Sequence, residues 1–248
     1  MPPPAAAPLR VLCFGDSLTS GYHAWGCGSH PYSTSLAARL HAAFPRRRIE
    51  VATSGVPGDI ACGAAFCERM KEEWTEGPFE WTIVLAGTND IGRGWDAGEI
   101  LSALREAWDI PLSKGSKVLA LTIPETSSKA AWAIAKRNEV NAGILSHKDP
   151  NVYPFDLHAV LPYHSLTPDD CHKYWDDGLH LTPDGYDWMA GHIASHLISL
   201  LNEIETQSPT PFAPVPRKAT DDEVIDEEAG DPKRLSRGYV FVRRTDLH

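Results

Sequence analysis

No apolar stretch in this sequence approaches the roughly 18–20 residues that a helix needs to cross a bilayer, so no stable membrane insertion is expected. The N-terminus, Met1-Pro2-Pro3-Pro4-Ala5-Ala6-Ala7-Pro8, lacks both the basic and the apolar region of a secretory signal. The expected location is therefore cytoplasmic, with export of a processed form left open. Basic residues are in the minority, 23 Lys and Arg against 33 Asp and Glu, for a net charge of −10. Their one dense run, Arg46-Arg47-Arg48, reads as a solvated turn before a strand, and no nucleic-acid partner is expected. The five cysteines are odd in number and come without a signal, which favours reduced thiols over a disulfide framework. Cys62 and Cys67 do not form a CxxC motif, and Cys171-His172 has no zinc-like company, so the cysteines read as small apolar fillers. There is no internal repeat.

What is present is a globular balance, 42% hydrophobic and 23% charged, sufficient to bury a core without metal or disulfide support. The 248 residues suit one α/β domain with a tail as well as two domains. Residues 9–14 (LRVLCF) read as a buried strand ending at Gly15, and 32–44 as a helix stopped by Pro45. A strand over 48–53 leads into Ser54-Gly55; a helix over 59–76 and a strand over 80–86 follow. Next come a helix over 96–113, a strand over 117–123, a helical pattern over 127–147 and a weaker strand over 152–157. Pro183 opens a last helix that runs to about residue 204.

Strands alternating with helices of this length predict an α/β fold, a parallel sheet of about five strands covered by helices on both faces. Right-handed crossovers then bring the C-terminal strand ends to one edge, where such folds bind ligands. Residues 1–8 read as a flexible N-terminus and 9–205 as the domain. The composition changes after Glu205: 206–233 is acidic and Pro-rich and reads as a linker. Residues 235–248 turn apolar and basic again, with Gly238-Tyr239-Val240-Phe241-Val242 resembling a short strand. Such an arm is expected to dock on the sheet edge or on a second copy of the chain, which raises a homo-oligomer through the arm.

Candidate chemistry lies in the loops of the predicted edge. In Gly15-Asp16-Ser17-Leu18-Thr19 a serine stands where a strand turns toward a helix. Outward-pointing amides at such a turn stabilise an oxyanion, so Ser17 is a candidate nucleophile; the other reading is a plain N-cap serine. The string is not GxSxG, because position 19 is Thr. A nucleophilic hydroxyl needs a base, and the base a carboxylate to orient it. Of eleven histidines, His180 stands out in Asp176-Asp177-Gly178-Leu179-His180. Asp177, three residues earlier, can fold back onto the ring and is preferred to Asp176. A capped turn carrying a surface histidine is the competing reading. Gly55 can offer an unobstructed N–H and Asn89, in Gly87-Thr88-Asn89-Asp90, a side-chain amide; alternatively they are a turn glycine and an Asx-turn residue.

Taken together, Ser17 in GDSLT, Gly55 in SGVPGD, Asn89 in GTND, and Asp177 with His180 in DGLHLTPDGY resemble the four ordered blocks of the SGNH, or GDSL, hydrolase family, over about residues 9–200. The resemblance implies a flavodoxin-like three-layer α/β/α fold and a Ser17–His180–Asp177 triad. It also implies an oxyanion hole built from the Ser17 N–H, the Gly55 N–H and the Asn89 amide, with no cofactor and no metal. A small-molecule ester is the expected substrate, with a short or medium acyl chain. Acyl transfer, deacetylation of a carbohydrate or natural product, lysophospholipid or thioester cleavage, and a binding or scaffold module with a vestigial site remain open beside it. Tyr22 and Trp25, with Trp95 and Trp175, read either as an apolar wall for the substrate or as ordinary packing.

Overall fold

The computed structural model describes residues 8–207, so residues 1–7 and the C-terminal arm lie outside the described residues. The chain divides into two units, Met1–Glu205 and Thr206–His248. The first unit opens with strand β1 (Leu9–Gly15), a short helix α1 (Ser17–Ser20), and a two-stranded ribbon of β2 (Tyr22–His23) and β3 (Gly28–Ser29). Helix α2 (Tyr32–Ala43), β4 (Ile49–Gly55), α3 (Ala64–Glu73), β5 (Trp81–Leu85), α4 (Thr88–Gly92) and α5 (Ala97–Ser113) follow. Then come β6 (Lys117–Leu121), α6 (Ala131–Leu145), β7 (Val152–Phe155), α7 (Leu157–Val160), α8 (Pro168–Tyr174) and α9, which runs from Pro183 to Gln207. Among the described residues no helix is long and apolar enough to cross a membrane.

The main sheet has five strands in the order β4-β1-β5-β6-β7, all parallel. This is the doubly wound arrangement in which the chain reverses direction across the sheet between its first strand and that strand's two neighbours. β1 and β5 lie inside the sheet and are apolar almost throughout, as strands covered on both faces must be. The side chains of β1 divide by alternation. Leu9, Val11 and Cys13 enter one core with Leu36 and Leu40 of α2 and Met189, Ile193 and Leu197 of α9. Leu12 and Phe14 enter the other core, with Phe66 and Met70 of α3 and Ile100 and Leu104 of α5.

Two helices are shorter than their sequence patterns suggest, for one reason. The stretch before α3 gives its amides to a side chain rather than to a helical turn: Ala61 and Cys62 N–H both donate to the Asp90 carboxylate, at 3.0 and 2.8 Å. The stretch before α6 is drawn to another loop, where Ser127 N–H donates to the Gly178 carbonyl at 2.7 Å. Tertiary partners have replaced local ones. The ribbon and the short helices α1, α4, α7 and α8 carry too few residues for a period to show in sequence.

Helix α6 is fixed to the sheet by a buried amide. Asn141 accepts from Ile123 N–H at 2.8 Å and donates to the Ile123 carbonyl at 2.9 Å, pairing both polar groups of one residue just past β6. Replacing Asn141 by Ala leaves both without a partner in a dry environment. At about 1–3 kcal/mol per orphaned group, we expect a loss of about 2–6 kcal/mol. It should appear as a lower urea midpoint with an unchanged slope; a midpoint within error of wild type would show that water replaces the amide.

Candidate functional site

Four loops converge at the C-terminal edge of the sheet. β1 runs into Asp16, whose side chain accepts from Leu18 N–H at 3.0 Å and so caps α1. The cap is therefore Asp16, and Ser17 is the first residue of the helix, buried to 6% exposure. β4 ends at Gly55, whose backbone lies against α1: a Cβ there would stand 2.2 Å from Ser20 N, so only glycine allows the approach. Val56 N–H donates to the Gly15 carbonyl, and by strand alternation the Gly55 N–H faces away from β1. After β5 comes Asn89 in α4, and before α9 comes the loop of residues 176–180.

The structure brings Ser17 and His180 together, with Oγ 2.9 Å from Nε2. The opposite ring nitrogen, Nδ1, lies 2.8 Å from Asp177 Oδ2. An ionised carboxylate can only accept, so Nδ1 carries the proton and Nε2 is free to accept from the serine hydroxyl. The second oxygen, Oδ1, accepts from Leu179 and His180 N–H at 2.9 and 2.7 Å. Burial on its own would raise the Asp177 carboxyl. The hydrogen bonds from the His180 ring and from the two amides outweigh it and hold the group below the usual carboxylate range. Asp176 points away: it accepts from Ala24 N–H at 2.7 Å and ties the β2–β3 ribbon to the same loop. Gly178, between Asp177 and His180, has φ of +83°, a left-handed conformation suited to glycine.

Asn89 Nδ2 donates to the Asp59 carbonyl at 2.9 Å and reaches Asp16 Oδ2 only at 3.5 Å. One amide hydrogen is thus firmly held and the other weakly. Beneath these loops Arg69 of α3 donates to the Gly15 carbonyl at 2.9 Å, to the Ser54 carbonyl at 2.9 Å and to Asp59 Oδ2 at 2.8 Å, while its Cζ lies over the Phe14 ring, 3.9 Å from the centroid.

Of the four aromatic residues expected at the site, one touches it: the Tyr22 ring is 4.6 Å from the His180 ring. Trp25 is 83% exposed, with φ of +56°. Trp95 borders a separate hollow beside Cys62 and Cys67. Trp175 corrects the expectation of a three-tryptophan wall: it is buried in the core, packed on Tyr163, with its Nε1 donating to the Pro162 carbonyl. The cleft that adjoins Asn89 and Asp177 has a volume of about 430 Å³ and is walled instead by Ile123, Pro124, Trp132, Ile134 and Arg137. Sequence reading missed these. One signal was available: Arg137 falls in phase with Val140, Asn141 and Ile144 on the buried stripe of α6, where a cation is out of place.

A family model described as the GDSL-like Lipase/Acylhydrolase family matches residues 13–188. The chain belongs to this family. It is a carboxylic-ester hydrolase. A curated relative named "Arylesterase", from Vibrio mimicus, is 24% identical over 195 residues, which cover 77% of this chain and 90% of the relative. Among solved structures, a carbohydrate acetylesterase family member from Sinorhizobium meliloti aligns with a TM-score of 0.62 at 18% identity, over 78% of this chain and 99% of that one. A lipase/acylhydrolase from Enterococcus faecalis aligns with a TM-score of 0.61 at 20% identity, over 77% and 96% respectively. These two likenesses show the fold, which agrees with the flavodoxin-like α/β/α expectation.

Asp16 has a testable electrostatic consequence. Burial raises its carboxyl to about 7; the Leu18 amide offsets part of the effect, and the nearby Asp90 and Asp59 charges add to it. An acid raised on folding binds more protons folded than unfolded between about pH 4 and about pH 7, so its favourable contribution is present at low pH and lost as pH rises through that window. Asp16→Asn keeps the cap acceptor and removes the titration. The melting temperature of the variant should therefore gain on that of wild type as the pH goes from about 5 to about 8. Parallel melting curves across that range would show that Asp16 does not titrate there.

Proposed function

We propose that this hydrolase cleaves carboxylic esters of short or medium acyl chain through an acyl-enzyme on Ser17. The observation that carries the reading is the continuous relay Ser17 Oγ–His180 Nε2–His180 Nδ1–Asp177 Oδ2, at 2.9 and 2.8 Å. In this reading His180 takes the Ser17 proton as Oγ attacks the ester carbonyl. Asp177 orients the ring and stabilises the imidazolium. The Ser17 N–H, the Gly55 N–H and the weakly held hydrogen of Asn89 receive the oxyanion. The C–O bond then breaks as His180 gives its proton to the leaving alkoxide. Water, deprotonated by the same imidazole, attacks the acyl carbon and releases the acid and free Ser17. Asp177 is held below the usual carboxylate range and so stays ionised to orient the ring near neutrality.

The test is hydrolysis of p-nitrophenyl esters from acetate to palmitate by wild type and by Ser17→Ala, with fluorophosphonate labelling alongside. Wild type should show a preferred chain length and Ser17→Ala should lose both turnover and label. Asn89→Ala should fold normally and lose about 10²–10³ in kcat, as expected for one oxyanion donor. Undiminished turnover in Ser17→Ala would overturn the nucleophile, and undiminished turnover in Asn89→Ala would remove that amide from the hole.

A further inference from the structure

The cleft beside the proposed triad is lined by a cation, Arg137, that makes no hydrogen bond or ion pair among the described residues. Arg137 lines it and is only 7% exposed, yet its Nε is fully enclosed without a hydrogen-bond partner among the described residues. A buried guanidinium is rarely tolerated unless paired, because it has lost its water and gained nothing in return. The obvious counter-charge is already engaged. Glu125 Oε2 accepts from the Tyr163 and His164 amides, at 2.6 and 2.9 Å, and reaches Arg137 only through its longer-range field. Burial accordingly pulls the Arg137 pKa down, with Glu125 compensating in part. A second orphan lies in the same cleft: the Thr88 hydroxyl is enclosed and without a partner, one residue from Asn89.

An unpaired guanidinium and an unpartnered hydroxyl, both on residues that line one cavity, favour a ligand that brings acceptor oxygens. The rest of the lining limits what carries them. Ile123, Pro124 and Ile134 are apolar, and Trp132, 58% exposed, offers a flat face at the mouth. The lining also includes Arg93, so it holds two arginines against one carboxylate, and that carboxylate is Asp177, committed to His180 and to two amides. The surplus is positive in a chain whose net charge is −10.

We propose that this cleft is a subsite for a carboxylate carried on an apolar or aryl spacer of the ester substrate, with Arg137 as the residue that binds it. The planar fork of a guanidinium matches a carboxylate, and charge-assisted bonds of this kind are about twice as strong as neutral ones. The proposal rests on the triad reading, since it places the charged end of the substrate relative to an ester at Ser17. The carboxylate comes from either the acyl or the alcohol half, and the test separates the two.

Two matched substrate pairs provide it. p-Nitrophenyl hemiglutarate against p-nitrophenyl pentanoate places the charge on the acyl side. 3-Acetoxybenzoate against 3-acetoxybenzamide places it on the alcohol side. Wild type should favour the charged member of one pair by roughly tenfold or more in kcat/KM, a difference of about 1.4 kcal/mol. Arg137→Gln should abolish that preference, mainly through KM, and leave the neutral ester within about twofold of wild type, as expected for loss of a binding contact remote from the bond broken. Arg137→Lys keeps the charge without the fork and should fall between; it also serves if Arg137→Gln does not fold. No preference in either pair, or a preference that survives Arg137→Gln, overturns the subsite.

A binding measurement keeps this failure separate from failure of the triad. Calorimetry on Ser17→Ala should show tighter binding of glutaramate, the monoamide of glutarate, over pentanamide, or of 3-hydroxybenzoate over 3-hydroxybenzamide, and Arg137→Gln in that background should erase the difference. If Ser17→Ala still hydrolyses esters but binds the carboxylate through Arg137, the nucleophile is wrong and the subsite stands. If Ser17→Ala is inactive and binds acid and amide alike, the subsite alone is wrong.

Discussion

The guanidinium of Arg69 joins what would otherwise be three loose ends. Parallel strands stop with their last carbonyls aimed at whatever lies beyond the sheet, and at the edge of this sheet β1 and β4 stop side by side. Arg69 satisfies the carbonyls of Gly15 and Ser54 with one planar group and reaches the Asp59 carboxylate with the same fork. Its central carbon lies over the Phe14 ring, so the charge is met by acceptors at its rim and by the ring at its centre. Position then passes outward. Asp59, held by its side chain, presents its carbonyl to Asn89, and Gly15, held by its carbonyl, delivers Asp16 and Ser17 into α1. Lysine offers a point charge and could not meet this set of acceptors in one plane.

Two adjacent carboxylates illustrate how a single loop divides its tasks. Asp177 turns inward to the imidazole and to two amides, while Asp176 turns outward to the Ala24 N–H. The inward bonds orient the proposed base. The outward bond draws in the β2–β3 ribbon, which brings Tyr22 against the His180 ring. The ribbon bears strain for this: Ala24 and Trp25 both have left-handed backbones, at φ of +50° and +56°. Non-glycine residues hold such a conformation only where surrounding contacts fix it. Here the Asp176 bond on one side and the Tyr186 hydroxyl donating to the Tyr22 carbonyl on the other supply them.

The sheet and its long helices were readable because burial writes a period into sequence. Residues 9–14, 80–86 and 117–123 are apolar runs, as strands covered on both faces must be, and Pro45 and Pro183 mark boundaries by their own chemistry. The residues of the proposed triad and oxyanion hole were readable for a different reason. Each stands at the end of a strand, in the first turn of a short helix or in the loop ahead of a helix, where glycines punctuate the turn. Sidedness was not readable. Trp175 and Trp25 both flank the same loops, yet one is in the core and the other in solvent, because a tryptophan outside a periodic element has no phase. Arg69 and Arg137 were passed over because an arginine on a helix ordinarily lies on its solvated face; the phase of α6 hinted at Arg137, and the packed structure shows both turned inward.

Those two inward arginines differ in a way that bears on the whole molecule. Arg69 spends its donors on carbonyls and on Asp59, so its charge is consumed by the fold. Arg137 is the more deeply buried of the two, with no hydrogen bond or ion pair among the described residues. A net charge of −10 would be expected to repel an anionic ligand from such a site. That repulsion acts through solvent, where salt limits it to about 8 Å at physiological ionic strength. Inside the cleft the nearest charges dominate, and there the guanidinium faces apolar walls that screen it poorly. Surface acidity thus governs solubility and the rate of encounter, while a single enclosed cation governs what is held once inside, so the two need not share a sign.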